Sequence, residues 1–198
     1  DHAQFDTAQK KFGSSSFLFD GTNDKISVPD SADWNMGADP FTIDYWVYYN
    51  SVPAAYDLVQ QYTDGNNRWG IGYSSSKLYA LLVISGGSIK ANYTMAYTPS
   101  TGAWIHHELG RNGTSVYFFI NGTAQSLTAE AAIGTNAIPD LAAAFDFGGN
   151  GADGWHNGWM QEIRVCKGVC RHTSNFTAPT APYIWPTEMG GSFLLNFI

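Results

Sequence analysis

The sequence contains few charged side chains. Asp, Glu, Lys and Arg make up 14% of its 198 residues, against about 25% in an average soluble domain. Only 10 residues are Lys or Arg, compared with 17 Asp or Glu, and the basic residues are scattered. They cannot form the continuous basic stripe that neutralises a row of phosphates, so we expect no nucleic-acid partner.

Long apolar runs and cysteines are also scarce. No stretch approaches the roughly 18 apolar residues of a membrane-spanning helix, so we expect no insertion into a membrane. Cys166 and Cys170 are the only cysteines, and their spacing permits either two free thiols or one local disulfide. The chain begins at Asp1 with neither an initiator Met nor a signal peptide, as expected of a processed, trimmed or partial chain.

A helical pattern of apolar residues is nearly absent. Only residues 127–133 are compatible with a helix, which Gly134 would end. Short runs that alternate between apolar and polar residues predict strands instead. The predicted strands are residues 16–20, 25–28, 41–49, 57–62, 69–73, 78–84, 88–92, 104–110, 116–120, 123–127, 144–147 and 159–166. About twelve short, closely spaced strands predict an all-β, two-sheet antiparallel sandwich with little or no helix.

The predicted strand at residues 41–49 has two distinct faces. One face carries Phe41, Ile43, Tyr45 and Val47. The other carries Thr42, Asp44, Trp46 and Tyr48. The first face suits a core between two sheets, and the second, polar and aromatic, suits an outer or ligand-facing surface.

Two Asn-Gly pairs predict tight turns. Asn112-Gly113 and Asn121-Gly122 each lie between alternating runs. Asn-Gly is the preferred pair in two-residue hairpin loops, because both turn positions need positive φ. We therefore expect three consecutive strands to form an antiparallel meander over residues 104–127.

Four segments resemble the laminin-G-like domains of the concanavalin A-like lectin/glucanase superfamily. They are residues 16–29, 41–47, 104–123 and 158–165, which follow the order found in that family. The resemblance implies a jelly-roll sandwich. We expect this domain to span residues 1–183, and residues 184–198 to be a C-terminal extension with one apolar strand.

The end of the sequence is similar to such domains in bacteriophage virion proteins. Residues 167–177, Pro179 and Pro182-Tyr183 carry this likeness, together with residues 10–13. In those relatives an apolar strand resembling residues 193–197 often precedes the domain, whereas here it follows. Either the chain is a segment of a longer or tandem protein, or this strand fills the sheet position that the N-terminus leaves empty.

The resemblance also implies a structural calcium ion, which such domains often carry. Asp20 and Gly21 match the family's Phe-Asp-Gly turn, and Asp24 follows closely. The family's last core strand supplies a further Asp, but Gln161 stands there, and its neutral oxygen would hold Ca²⁺ more weakly. Glu162 is adjacent and, by strand alternation, should face the opposite side. These residues form a weak candidate Ca²⁺ site, with a metal-free Asp-Gly turn as the alternative.

The sequence has no recognisable catalytic pattern. Glycoside hydrolysis needs two carboxylates roughly 5–10 Å apart, and the family's glucanases carry them as Glu-x-Asp-x-x-Glu. None of the four Glu residues has an acidic residue two positions away. His106 and His107 are adjacent on a strand, so at most one shares a face with Tyr117, and we expect one to be packed and the other solvated. We predict that the protein is not an enzyme.

Two loops combine aromatic and planar polar residues as sugar-binding sites do. The first, residues 62–69, contains the candidate ligand-binding residues Asn66, Arg68 and Trp69. The second, residues 150–157, contains the candidates Asn150, Asp153, Trp155 and His156. Loops at the ends of a sandwich commonly build binding surfaces, although either Trp could instead anchor its loop to the core.

The resemblance and the missing carboxylates together favour a non-catalytic virion module that binds carbohydrate or a host cell-surface glycan. Such a module would belong to a fibre, a spike or a capsid decoration. A purely structural subunit that contacts other virion subunits or its own copies is the first alternative, and a polysaccharide lyase or hydrolase is the second. Because this scaffold hosts lectins, enzymes and spacers, the fold alone does not decide. The predicted location is the virion surface or the extracellular space.

Overall fold

The computed structural model describes residues 2–52, 54–149 and 154–184, and the backbone of 192–195. These residues form fifteen strands and a short 3₁₀ turn at Ala32–Trp34. The strands are β1 (Gln4–Asp6), β2 (Ser16–Asp20), β3 (Ile26–Val28), β4 (Phe41–Ser51), β5 (Ala55–Asp64), β6 (Asn67–Ser74), β7 (Lys77–Ser85), β8 (Ser88–Ala96), β9 (Trp104–Asn112), β10 (Ser115–Ile120), β11 (Thr123–Ala124), β12 (Thr128–Ala131), β13 (Phe145–Phe147), β14 (Asn157–Lys167) and β15 (Ser192–Leu195). Within this part of the chain, no helix has the length and apolar character needed to cross a membrane.

The strands pair into two antiparallel sheets. Sheet A has the order β1-β2-β14-β4-β9-β10-β11, and β15 also pairs with β14. Sheet B has the order β12-β8-β7-β6-β5-β13-β3. The predicted all-β, two-sheet antiparallel sandwich with little helix is therefore confirmed.

One edge of β14 is shared by strands from the two ends of the chain. Its residues 157–160 pair with β2, and its residues 163–166 pair with β15. The C-terminal strand thus continues the sheet position that the N-terminal strands occupy only in part. This pairing agrees with the second interpretation of the apolar tail, whereas the domain boundary at residue 183 stays a prediction.

Alternation along the strands builds a core between the sheets. Phe41, Ile43 and Tyr45 of β4 are 0% exposed and pack into this core, as their pattern predicted. Burial of one large apolar side chain contributes about 1.5–3 kcal/mol. The opposite face of β4 is also buried, with Thr42 and Asp44 at 0% exposure, so a further layer must cover it.

Residues 168–184, here called the strap, form that covering layer on sheet A. Thr42 Oγ1 donates to the carbonyl oxygen of Val169 and accepts the N–H of Arg171, both at 2.9 Å. The N–H of Phe176 donates to the turn between β10 and β11 at 2.9 Å. The strap contains no strand, so side chains and single backbone hydrogen bonds hold it in place.

The two predicted Asn-Gly turns differ in detail. Asn121 and Gly122 have φ values of 50° and 78°, as a two-residue hairpin loop with both φ positive requires. The ladder between β9 and β10 instead extends through Asn112. Its turn residues are therefore Gly113, with φ at 59°, and Thr114. The three-stranded meander itself is present.

Three local expectations are resolved by the structure. Residues 127–133 do not form a helix, because β12 lies there as an edge strand of sheet B and pairs with β8. Edge pairing offers this segment backbone partners that its weak helical pattern could not compete with. The strand predicted at 123–127 is shorter in the structure, where β11 covers only Thr123–Ala124 and the chain then crosses to sheet B. Cys166 and Cys170 are free thiols.

Candidate functional site

A groove of about 190 Å³ lies on the outer face of sheet B, above strands β5, β6 and β7. Its floor is formed by Gly70 and Gly72, which alternate with core residues of β6. A Cβ at Gly70 would lie 2.2 Å from the carbonyl oxygen of Val59, and one at Gly72 would lie 2.4 Å from Oδ1 of Asp57. The groove therefore exists because these two positions lack side chains.

Two cross-strand rows supply the walls of the groove. In the first, Asp57 of β5 and Tyr79 of β7 lie on either side of Gly72. In the second, Gln60 and Leu82 lie on either side of Gly70. Arg68 completes the lining nearer the β5–β6 turn. Aromatic and apolar surface beside a few planar polar groups is the composition of small-ligand sites that orient hydroxyl-rich molecules.

The polar surface continues from the groove onto β8 and β12. Thr94 pairs with Tyr79, and Asn92 pairs with Leu82. Glu130 accepts hydrogen bonds from Asn92 Nδ2 at 2.8 Å, Thr94 Oγ1 at 3.1 Å and Lys77 Nζ at 3.2 Å. The bonds from Lys77 and then Thr94 hold the pKa of Glu130 below its usual value. The carboxylate is thus ionised at neutral pH and can accept hydrogen bonds from hydroxyl groups.

A second acidic group borders the groove on its other side. Asp146 of β13 pairs with Gln60 and accepts hydrogen bonds from Lys25 Nζ at 2.9 Å and Ser27 Oγ at 2.5 Å. The row from Asp146 to Asn92 crosses five strands, roughly 19 Å at a strand spacing of about 4.8 Å. That length suits an extended ligand.

The first predicted loop contributes Arg68 and Trp69 to the lining of the groove. Arg68 is half-buried and lines it, while Asn66 is exposed in the β5–β6 turn and donates its N–H to Asp64 at 2.7 Å. Trp69 is only 1% exposed. Its Nε1 donates to Gln61 at 2.9 Å, and its ring stacks on a core Phe. Strand alternation turns the side chain of Trp69 inward, so it anchors the loop to the core, which was the alternative interpretation.

The second predicted loop is described only in part. Asn150 and Asp153 lie outside the described residues, and Trp155 is half-buried. His156 is 0% exposed and lies 5.2–5.4 Å from two aromatic rings, and burial lowers its pKa to about 4. A surface ligand role for His156 is therefore contradicted.

The two predicted loops lie at opposite ends of β5. Gly154 approaches Ala55 so closely that a Cβ would lie 2.2 Å from its carbonyl oxygen, whereas Asn66 follows the other end of the strand. A strand of this length spans roughly 30 Å at about 3.3 Å per residue. The described residues of the two loops are therefore too far apart to share one binding site.

The residues predicted to bind Ca²⁺ do not fit a shared ion. Asp20 Oδ1 accepts the N–H and hydroxyl of Thr22, at 2.8 and 2.7 Å, and Asp24 accepts the N–H of Asp20 at 3.1 Å. Gln161 Oε1 accepts the backbone N–H of Lys11 at 2.7 Å. Gly21 packs near Asn157 instead, four positions along β14 from Gln161. In the described part of the chain, no three His, Cys, Asp or Glu side chains gather to hold a metal.

A bulge in β14 explains why Gln161 and Glu162 share a face. Glu162 has a φ of 55°, and the register with β4 shifts between Gln161 and Arg164. One extra residue in a strand cancels the alternation of side chains. Glu162 Oε2 therefore accepts the N–H of Tyr183 in the strap at 2.6 Å, and the expectation that it faces the opposite side is wrong.

Both adjacent histidines are buried, contrary to the expectation that one is solvated. His107 points into the core, where it lies 3.3 Å from Tyr45 Oη and 3.1 Å from Tyr97 Oη. Burial lowers its pKa to about 3. His106 faces the strap, and its Nε2 lies 3.0 Å from Tyr183 Oη. The strap supplies the cover that the sequence pattern did not reveal.

A polar cluster that the sequence did not predict lies beneath the strap. Asp44 of β4 and Glu108 of β9 are direct neighbours in the ladder, both 0% exposed. Arg164 donates to Asp44, and its guanidinium lies 3.8 Å above the ring of Tyr183. Two carboxyl groups and a guanidinium thus lie together here, but the strap covers them and leaves little of them accessible to solvent.

The fold and these sites can be compared with known proteins. A family model described as the concanavalin A-like lectin/glucanases superfamily, Laminin_G_3, matches residues 20–173. The chain belongs to this superfamily. No curated protein matches it in sequence.

Solved structures share the superfamily fold at low sequence identity. Domain 4 of AbnA, an extracellular GH43 arabinanase from Geobacillus stearothermophilus in complex with arabinotriose, is 17% identical with a TM-score of 0.61, covering 85% of this chain and 76% of that one. The active domain of bacteriophage CBA120 tailspike protein 2 is 13% identical with a TM-score of 0.62. The LG4-5 domains of mouse laminin α1 are 12% identical with a TM-score of 0.58.

The shares of the chains that match differ widely. The tailspike comparison covers 83% of this chain and 27% of the tailspike, and the laminin comparison covers 98% and 48%. The chain therefore corresponds to about a quarter of one protein and about half of the other. At these identities the likeness shows a common fold alone.

Proposed function

We propose that the chain is a carbohydrate-binding module that holds a glycan in the groove on sheet B. The observation that carries this proposal is the floor without side chains at Gly70 and Gly72, bordered by Tyr79, Gln60 and Arg68. A sugar ring packs its C–H face on an aromatic ring and offers its hydroxyls to planar polar groups. The fold shared with an arabinanase domain that holds arabinotriose supports the same assignment.

We also propose that the module binds without cleaving. The buried acid pair Asp44 and Glu108 belongs to sheet A and lies beneath the strap, on the far side of the core from the groove. On the groove side, Asp146 is engaged by a lysine and a serine. Hydrolysis requires two carboxylates that flank one glycosidic bond. The other acids near the groove, Asp57 and Glu130, lie on β5 and β12, and we propose that they bind hydroxyl groups rather than act as such a pair.

The setting in which such a module works is the virion surface or the extracellular space. Its fold is shared with a phage tailspike, with laminin domains and with a domain of an extracellular arabinanase. A module of this kind would attach its parent protein to a glycan-bearing surface. A subunit that only contacts other virion subunits is the alternative, and it would bind no sugar.

A glycan array followed by calorimetry tests the proposal. We expect the wild-type chain to bind at least one oligosaccharide class, and Tyr79→Ala and Arg68→Gln to weaken that binding at least tenfold. Tyr117→Ala is the matched control, since this tyrosine is half-buried on sheet A. Absence of binding at millimolar sugar would eliminate the lectin role. Binding that survives both groove substitutions would place the site elsewhere.

A further inference from the structure

His172 of the strap contacts Glu108, a buried titratable residue of sheet A. Nδ1 of His172 lies 2.9 and 3.0 Å from the two carboxyl oxygens of Glu108. The side chain of Glu108 is 0% exposed, and that of His172 is 30% exposed. Any change in the charge of this pair therefore acts directly on the strap.

Charged and titratable groups surround Glu108 on every packed element. They are Asp44 on β4, His106 on β9, Glu162 and Arg164 on β14, and Cys170, Arg171, His172 and Tyr183 in the strap. The neighbouring strand β10 places the uncharged ring of Phe119 opposite Glu108. Arg164, the cation nearest the acid pair, already donates two hydrogen bonds to Asp44.

These surroundings keep the pair protonated at neutral pH. Burial, and then the nearby carboxylate of Asp44, raise the pKa of Glu108 to about 8. Burial lowers the pKa of His172. Because the two groups are in contact, they titrate together. The pair holds one proton near pH 7 and releases it to solvent near pH 8, which leaves a second buried carboxylate beside Asp44.

We propose that the strap is a pH-operated latch, fastened on sheet A while the Glu108–His172 pair is protonated and loosened when the pair loses its proton. Opening the latch would make the face formed by Asp44, His106 and Arg164 accessible to solvent or to a partner. The strap has no ladder of strand hydrogen bonds to sheet A, so side-chain contacts and a few single backbone hydrogen bonds hold it there.

The sign of the pH dependence follows from proton linkage. In the released strap, Glu108 is solvated and titrates near 4.5, so the closed state binds more protons than the open state between pH 4.5 and about 8. Strap closure is therefore strongest below this window and weakens as the pH rises through it. The lowered pKa of His172 acts in the opposite direction, but only below about pH 6.5. Glu162, whose raised pKa acts like that of Glu108, holds the N–H of Tyr183.

Hydrogen–deuterium exchange of the full chain at pH 6.5 and pH 8 tests the latch. After correction for intrinsic exchange rates, we expect opening of the strap peptides to increase roughly tenfold in the wild type. Peptides of β4 and β9 should stay protected. Glu108→Gln, which has the same shape and no titration, should reduce the increase to less than about threefold, and adding Glu162→Gln should remove the remainder. Glu130→Gln on sheet B is the matched control and should respond like the wild type.

A second variant separates the latch from general weakening. Tyr183→Phe removes the hydroxyl that donates to Asp44 but leaves Glu108 intact. We expect the strap of this variant to open more at both pH values, with the tenfold ratio preserved. The proposal is overturned if wild-type strap protection does not change between the two pH values. It is equally overturned if Glu108→Gln keeps the full response or Tyr183→Phe loses it.

Discussion

Arg164 donates two hydrogen bonds to a single oxygen of Asp44, from Nε at 3.0 Å and from Nη2 at 2.8 Å. The Asp44 carboxylate is fully buried, and its other oxygen accepts the hydroxyl of Tyr183. Burial raises the pKa of Asp44, but the imidazole of His106, 3.9 Å away, and the charge of Arg164 outweigh it and hold that pKa below its usual value. An ionised acid in the interior thus depends on these partners.

Arg164→Met should therefore be strongly destabilising. Removal of one partner leaves an uncompensated buried charge, which costs about 3–5 kcal/mol in the free energy of unfolding. Urea denaturation measures this loss. Arg171→Met, at an exposed position of the strap, should cost less than about 1 kcal/mol. The double variant Asp44→Asn, Arg164→Met should recover part of the loss, and equal costs for the two arginines would contradict the assignment.

The pH dependence of stability should show a maximum near pH 6.5. Burial lowers the pKa of His107 to about 3 and that of His156 to about 4, so the unfolded chain binds more protons below pH 6.5 and stability falls as the pH falls. The raised pKa of Glu108, about 8, makes the folded chain bind more protons between pH 4.5 and 8. Two histidines outweigh one glutamate below pH 6.5, and Glu108 dominates above it.

Denaturant titrations at pH 5, 6.5 and 8 measure this profile. One unbalanced proton changes the free energy of unfolding by about 1.4 kcal/mol per pH unit on either side of the maximum. Glu108→Gln should flatten the alkaline side and steepen the acid side, where the glutamate partly offsets the two histidines. His107→Gln should reduce the acid slope. A profile that rises steadily to pH 8 would show that Glu108 is not the dominant group there.

Much of the fold could be predicted from local patterns. The inward residues of β4, such as Ile43 and Tyr45, alternate strictly, and Asn121-Gly122 has the composition that a two-residue hairpin loop requires. These features depend on neighbours in sequence. The groove does not, because it arises where Gly70 and Gly72 come to lie between β5 and β7.

The wrong predictions of burial and strand face concern features that alternation along one strand does not reveal. One of the two adjacent histidines was expected to be solvated. His106 is buried instead, because it is covered by Tyr183, 77 positions away in sequence. Glu162 was assigned to the wrong face because a single positive φ, 55°, inserts an extra residue into β14. For Trp69, alternation with Arg68 favours the core anchor over a surface role, since a polar residue on the outer face implies that its neighbour points inward.

Gly122 should be far less tolerant than Gly113 of the same substitution. Both have positive φ, 78° and 59°, so alanine adds backbone strain of about 1–2 kcal/mol at either position. A Cβ at Gly122 would also lie 2.0 Å from the carbonyl oxygen of Phe176 in the strap, whereas one at Gly113 meets nothing within 4 Å. We expect Gly122→Ala to cost about 2–5 kcal/mol and Gly113→Ala about 1–2 kcal/mol in urea denaturation. Similar costs would mean that the strap does not rest on this turn.

The side chain of Gln61 connects β6 to the segment that precedes β13. Its removal should lower the free energy of unfolding, because Trp69 loses its hydrogen-bond acceptor. Its Oε1 accepts Trp69 Nε1 at 2.9 Å, and its Nε2 donates to the carbonyl oxygen of Ala143 at 2.9 Å, with the side chain buried. Gln61→Leu keeps the volume but leaves both partners unsatisfied, which should cost about 2–4 kcal/mol. Gln125→Leu is the control at a half-buried position, where the side chain donates to the nearby carbonyl oxygen of Thr123, and it should change stability by less than about 0.5 kcal/mol.

A double-mutant cycle isolates the bond between these two side chains. Trp69→Phe removes the donor while keeping an aromatic ring against Phe145, so Gln61→Leu should cost less in that background than in the wild type. The expected coupling is about 0.5–3 kcal/mol, as for other directly bonded neighbours. If the two losses simply add, the stability of Trp69 comes from ring packing alone. Strand alternation alone would then explain why the side chain of Trp69 points into the core while that of Arg68 points outward.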